Sequence, residues 1–157
     1  MRILGIEREN LNHYKLPSLA VLFSSCSFKC DEECGERVCQ NSTLAQSEIL
    51  EVRPEEIVET YLNNCISSSL VCAGLEPFDT FNDLYSLVEA FRAKTNDPII
   101  IYTGYYEAEI FCELQTLKEF PNIIVKFGRY IPHQTPHHDD VLGVDLASNN
   151  QYAEQIS

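Results

Sequence analysis

Ser69-Leu-Val-Cys-Ala73 is an uncharged, mostly apolar run that stops abruptly at Gly74-Leu-Glu-Pro77. A continuous run of this length, bounded by turn residues, reads as a strand buried on both faces. Just beyond it, Asp79 or Thr80 stands where a helix N-cap belongs. Phe81, Leu84, Tyr85, Val88 and Phe91 then form an apolar stripe at helical spacing. Strand, turn and helix thus follow one another in a single short stretch.

The same unit recurs on either side. Upstream, Pro17 introduces a strand at Ser18 to Phe23, and a polar, cysteine-bearing segment runs from Ser24 to about Glu51. Pro54 then opens a helix to about Asn64, with Ile57, Val58, Tyr61, Leu62 and Cys65 on one face. Downstream, Asp97 and Pro98 introduce a strand at Ile99 to Tyr102. A helix follows from about Tyr106 to Glu119, with Ile110, Phe111, Leu114 and Leu117 inward and Pro121 as its stop, and then a strand at Ile123 to Phe127. Strands alternating with helices are the pattern of βαβ units, which pair in parallel and cross over right-handed. The class is α/β. Four strands cannot close an eight-stranded barrel, so an open wound sheet and an incomplete barrel both remain. The 157 residues read as one domain, 1–157, with a polar, turn-rich tail from about 132 that contains a short apolar stretch at Val141 to Leu146.

The composition, 45% hydrophobic and 22% charged, is that of a globular protein, and no apolar run reaches the roughly 18 residues of a membrane span. Met1 to Glu9 interleaves apolar residues with Arg2, Glu7 and Arg8 and does not resemble a signal peptide, so a cytoplasmic location is expected. The net charge of −13 repels phosphate backbones and anionic lipid, which argues against a nucleic-acid or membrane-surface role. The repulsion is concentrated late in the chain: residues 1–53 carry 6 Lys/Arg and 8 Asp/Glu, residues 54–157 carry 5 and 16.

In parallel α/β folds, ligands bind outside the carboxyl ends of the strands. Every unusual local sequence here falls on that rim: the cysteine segment, then Gly74 to Pro77, then Thr103 and Gly104, then Gly128 and Arg129. Four of the seven cysteines, Cys26, Cys30, Cys34 and Cys39, lie in the first of these loops. Clustered thiols in such a chain point to a metal or redox site. Four could close a tetrahedral zinc site, and three could hold a cubane cluster with one iron left open. Spacing alone does not choose. Cys65 and Cys72 lie in apolar patterns and read as buried hydrophobes.

Cys-Ser-Phe-Lys-Cys at 26–30, followed by Val-Cys-Gln-Asn at 38–41, resembles the cluster loop of radical S-adenosylmethionine enzymes, specifically the anaerobic ribonucleoside-triphosphate reductase activating proteins. Ala-Gly-Leu-Glu-Pro at 73–77 is similar to the family's Gly-Gly-Glu-Pro turn. Ile-Tyr-Thr-Gly-Tyr at 101–105 and Leu-Ala-Ser-Asn-Asn-Gln at 146–151 resemble later family segments in the same order. Two departures stand out. Asp31 to Glu36 is inserted before the third family cysteine and carries the spare Cys34, and Leu75 replaces a family glycine. Stretching the loop costs roughly 1.2 kcal/mol of closure entropy, small beside the ~10 kcal/mol of comparable metal-thiolate binding.

The resemblance implies a small partial barrel of the radical S-adenosylmethionine type, with a cluster loop at 24–42. It implies that Cys26, Cys30 and Cys39 ligate three irons of a 4Fe-4S cluster, leaving the fourth to S-adenosylmethionine. Val38 would pack on the adenine, Gly74 and Glu76 would frame the methionine, and Thr103 would complete the cofactor site. The implied activity is reductive cleavage of S-adenosylmethionine to generate a glycyl radical on the large subunit of anaerobic ribonucleoside-triphosphate reductase, with electrons from a donor such as flavodoxin or ferredoxin. Activation of another glycyl radical enzyme and a non-catalytic zinc-binding module are the alternatives.

Three further features read more plainly. His133, His137, His138, Asp139 and Asp140 form a run that reads as a solvated loop around Pro132 and Pro136 rather than a metal site. Arg129 reads as a surface arginine, with a ligand carboxylate or a partner as the other possibility. Tyr105 and Tyr106 read as packing at a strand-to-helix junction.

Overall fold

The computed structural model describes residues 1–157. Its centre is four parallel strands: β2 (Ser18–Phe23), β4 (Ser69–Gly74), β5 (Ile99–Tyr102) and β6 (Ile123–Phe127), with β1 (Arg2–Asn10), β3 (Leu50–Glu51) and β9 (Tyr152–Gln155) completing the sheet. The strand order is β3-β1-β2-β4-β5-β6-β9, and the added strands all pair antiparallel. A separate two-stranded hairpin joins β7 (His137–Asp139) to β8 (Val144–Leu146).

The helices are α1 (Lys29–Cys34), α2 (Pro54–Leu62), α3 (Phe81–Arg92) and α4 (Phe111–Leu117). The last three pack on one face of the sheet. Alternation along the strands sends Leu19, Val21 and Phe23, Leu70 and Cys72, Ile99 and Ile101, and Ile123, Val125 and Phe127 to that face. There they meet Ile57, Tyr61, Leu84, Leu87, Phe91, Leu114 and Leu117. The opposite face carries Ala20, Val71, Ala73, Ile100 and Ile124, covered by Tyr14, Leu142 and Leu146. This second cover is small, and beyond it the carboxyl ends of the strands border a cavity lined by Leu22, Ala73, Tyr102 and Lys126. No helix is long and apolar enough to cross a membrane.

Several expected details differ. The helix opened by Pro54 ends at Leu62, which is 51% exposed, so Cys65 lies past the helical face and is exposed rather than buried. Phe111 sits one residue off the row of Ile110, Leu114 and Leu117 and is 58% exposed. The polar, turn-rich residues from 132 onward contribute β7, β8 and β9, and their apolar stretch buries Leu142 and Leu146.

Candidate functional site

The loops leaving β2, β4, β5 and β6 surround a cavity of about 440 Å³. Cys26, Cys30 and Cys39 line it, together with Gly74, Leu75, Glu76, Thr103 and Gly104; Cys34 and Val38 do not. Depressions of about 580 and 630 Å³ elsewhere on the surface contain none of these residues.

Local chemistry explains how three cysteines so unevenly spaced reach one wall. The inserted residues form most of α1, which ends on Gly35 in the left-handed conformation (φ 70°), the usual way a helix is stopped by glycine. Asp31, on that helix, accepts the backbone N–H groups of both Val38 and Cys39 at 2.8 Å. One carboxylate thus turns the chain back and sets Cys39 beside the helix that bears Cys30. Asn41 then donates from Nδ2 to the Gly74 carbonyl at 2.8 Å, tying this loop to the end of β4.

The thiols share their surroundings. Burial pushes the Cys26 thiol up to about 12, against a 3.2 Å contact from the Phe28 N–H, and the charges of Glu76, Asp79 and Cys39 push the same way. Burial also raises Cys30, opposed by the Tyr130 N–H and by the cations Arg129 and Lys126. A metal entering here displaces protons from these thiols, because thiolates are the ligands. No three His, Cys, Asp or Glu side chains converge on a point that a single ion could occupy. Thiolates bound to a multi-iron cluster each take a different iron and need no such convergence. The donor set fits a cluster: three soft sulfur atoms on one wall of a cavity.

Glu76 is buried behind them. Its Oε1 accepts the Thr103 hydroxyl at 2.7 Å and the Phe78 N–H at 3.2 Å, and its Oε2 accepts the Gly104 N–H at 2.8 Å. Burial dominates these bonds and lifts its carboxyl to about 7. Thr103 therefore orients Glu76 as well as lining the cavity. Gly104 borders both groups, since a Cβ there would make ordinary contacts of 3.5 Å with Glu76 Oε2 and 3.8 Å with the Cys30 sulfur.

Two basic residues have roles the sequence reading missed. Lys126 is buried to 6% exposure on the cavity side of β6, opposite Tyr102, and donates to the Gly128 carbonyl at 2.9 Å. The available signal was a lysine inside the run Ile-Ile-Val-Lys-Phe, where a buried parallel strand ordinarily has none. Arg129, expected at the surface, is only 5% exposed. It stands 2.5 Å from Glu109 and 3.2 Å from Glu33 on α1, with its guanidinium 4.9 Å from the centre of the Tyr106 ring. Tyr105 donates its hydroxyl to Asp79, and Lys29 lies 4.5 Å from the centre of its ring. The pair of tyrosines therefore anchors the cysteine loop.

The Arg129 hydrogen bond, with lesser help from the Tyr106 N–H and Lys29, holds the Glu109 carboxyl down to about 2. A carboxylate whose pKa is lower folded than unfolded contributes stability above its unfolded pKa and loses it as pH falls through the folded one. Thermal melts should therefore show a loss of stability between about pH 4.5 and 2 that shrinks in Glu109→Gln. An unchanged acid limb in that variant would remove the pair from the account.

Within the histidine run, His137, His138 and Asp139 form strand β7 rather than an open loop, and His133 and Asp140 lie outside it in turns. His138 pairs with Asp145 at 2.9 Å on the surface, and buried Asp139 accepts the N–H groups of Leu142 and Ala153, so it serves the fold.

No curated protein and no solved structure matches this chain. A family comparison does: the 4Fe-4S single cluster domain matches residues 18–151, from the first parallel strand to the edge of β9, and so includes the cysteine loop and the whole rim. The chain belongs to the 4Fe-4S single cluster domain family.

Proposed function

We propose that this protein is a radical S-adenosylmethionine enzyme that activates a glycyl radical enzyme, with anaerobic ribonucleoside-triphosphate reductase as its protein substrate and a flavodoxin or ferredoxin as its electron donor. The observation that carries the reading is the sorting of the clustered thiols: Cys26, Cys30 and Cys39 share one cavity with Glu76, and Cys34 stays outside it. Three thiolates leave a fourth iron open, whereas a structural site is closed by its ligands. A cluster held by Cys26, Cys30 and Cys39 would, once reduced, supply the one electron that reductive cleavage of the sulfonium carbon–sulfur bond to methionine and a 5'-deoxyadenosyl radical requires.

The protein's part is to bind and orient. Glu76 Oε2 accepts only the Gly104 N–H, which leaves it able to accept from a ligand ammonium, and Leu75 bounds the cavity where the resembled family has glycine. Val38 lies off the cavity wall, so the adenine contact implied for it has no support in this arrangement. In this reading the four parallel strands are the sheet of a small partial barrel. The proposed setting is the cytoplasm, in keeping with seven unpaired cysteines.

Anaerobic reconstitution with iron and sulfide, followed by reduction with S-adenosylmethionine present, should release 5'-deoxyadenosine. A cluster-loaded protein that releases none would overturn the reading. Glu76→Gln should keep the cluster absorbance while weakening S-adenosylmethionine binding roughly tenfold, the loss of one charge-assisted hydrogen bond. Unchanged affinity would remove Glu76 from the ligand site.

A further inference from the structure

Cys26 stands in a stretch of backbone fixed on both sides by the segment that follows β4. The Glu76 N–H donates to the Ser25 carbonyl at 2.8 Å, and Asp79 Oδ2 accepts the N–H of Ser27. The residues before and after the cysteine are therefore tied to the same short turn. Phe28 then takes a left-handed φ of 55° although it carries a side chain, a conformation that costs a non-glycine residue roughly 1–2 kcal/mol. Such strain persists only where the surroundings over-determine the backbone, and the bonds on Ser25 and Ser27 supply that constraint.

Asp79 is itself held. Its Oδ1 accepts the Tyr105 hydroxyl at 2.5 Å. Tyr105 is set in turn by its N–H on Thr103 Oγ1 at 3.0 Å and by the Gly128 N–H on its carbonyl at 3.1 Å. A chain of bonds thus runs from the ends of β5 and β6 to the first cysteine. In charge alone Asp79 is a poor neighbour, because a carboxylate there opposes ionisation of the Cys26 thiol, the form that binds metal. What it offers is geometry, one oxygen for each of two donors.

We propose that Asp79 is the positioning residue for Cys26: with one oxygen on Tyr105 and the other on the Ser27 N–H, it holds the sulfur at the cavity wall before iron arrives. The inference rests on the cluster reading of the cysteines and not on what the fourth iron binds. It makes this part of the site preformed in the metal-free protein rather than folded by the metal.

The test labels metal-free, reduced protein with iodoacetamide and reads each cysteine by peptide mass spectrometry, in Asp79→Asn, Asp79→Ala and Tyr105→Phe. Asparagine removes the charge but keeps an oxygen for the Ser27 N–H; alanine removes both. A faster reaction at Cys26 in both variants reports the lost charge, so the excess in Asp79→Ala over Asp79→Asn reports position. That excess should be roughly three- to tenfold, the equivalent of one hydrogen bond. Cys39, held by Asp31, should react as in the wild type. Iron should leave the cluster-loaded Asp79→Ala protein for a chelator faster than it leaves Asp79→Asn, by a similar factor. Equal Cys26 rates in the two variants overturn the proposal, and so does an equal rise at Cys26 and Cys39, the mark of a general loosening. Cys72, fully buried in the core, reacts if a variant unfolds. Should Asp79→Ala do so, Tyr105→Phe carries the test: it keeps the charge, frees one oxygen of Asp79 and should still speed Cys26 alone, and an unchanged Cys26 rate there overturns the proposal.

Discussion

Serine in place of Cys26, Cys30 or Cys39 is expected to abolish the iron-sulfur absorbance of the reconstituted protein, and serine in place of Cys34 to leave it intact. A serine hydroxyl is a hard, weakly acidic donor, and a cluster held by three thiolates does not survive the loss of one. The three residues line the cavity and act on one another electrostatically through Cys39, whereas Cys34 lies at the end of α1, off that wall. The measurement is the visible absorbance and the iron content of each anaerobically reconstituted variant. A Cys34 variant without a cluster, beside a Cys39 variant that retains one, would show that the loop closes on the other thiol. Loss in all four would favour a closed four-thiolate site, the zinc-binding alternative. Asp31 supplies an independent check: Asp31→Ala removes the acceptor of two backbone N–H groups and should loosen Cys39 without touching any thiol. Its iron content should fall part of the way, and recover in Asp31→Asn, which keeps an acceptor oxygen.

The parts of the fold that sequence revealed are those with burial on both sides. Leu19 to Phe23, Leu70 to Ala73, Ile99 to Ile101 and Ile123 to Val125 are apolar at every position, or nearly so, because each face of the central strands is covered. The flanking strands carry no such signal. In β1 the buried positions are only Ile3 and Asn10, and β9, Tyr-Ala-Glu-Gln, has none at all. Such segments are held by backbone pairing and register, to which side-chain hydropathy is nearly blind. The alternation in Met1 to Glu9 was visible, but only the neighbouring strand β2 makes it a strand.

The site divides along a similar line. The cysteines and Glu76 announce themselves through residue type and through resemblance to a known loop. Arg129 does not, because what buries it is pairing with Glu33 and Glu109, which are 96 and 20 residues away in sequence and meet it only in the folded chain. Val38 is the opposite case, a residue singled out by its place in the motif that lies off the cavity wall. It directly precedes the third cysteine, as in the family, but the inserted residues Asp31 to Glu36 separate it from Cys30, and its N–H is spent on Asp31. Read from sequence alone, the insertion is added loop length with a purely entropic cost. It folds instead as a helical turn whose own acid closes the loop, so its effect is on which side chains reach the cavity.

Gly74→Ala should produce a large loss of stability. Gly74 adopts φ +98°, and a Cβ there would lie 2.8 Å from the Phe23 nitrogen and 2.9 Å from the Leu22 Cα. Both are backbone atoms of the paired strand β2, so no side-chain rotation relieves the contact, and the two strands must separate. The positive φ alone disfavours a side chain by roughly 1–2 kcal/mol, and with the clash the expected loss is about 2–4 kcal/mol, a drop in Tm of roughly 5–15 °C. Two other glycines separate these contributions. Gly35, at φ +70° with nothing within 4 Å of its Cβ position, should show the conformational part alone when replaced by alanine, and Gly5, with open space and no positive φ, should show neither. The measurement is thermal unfolding of the metal-free protein, where no ligand contributes. The loss distinguishes two reasons for a glycine at this turn. If Gly74 is required by the approach of β2, the metal-free Gly74→Ala protein melts early whether or not a ligand is ever bound. If it is required by the approach of the ligand, as its resemblance to the methionine-binding turn implies, the variant melts with the wild type and only S-adenosylmethionine affinity falls. The distances favour the first, and they give the turn its place in the site by a less direct route. The Gly74 carbonyl accepts from Asn41, Leu75 walls the cavity, and Glu76 follows on the inside. A displaced Gly74 would therefore carry the cysteine loop and the acid out of alignment together.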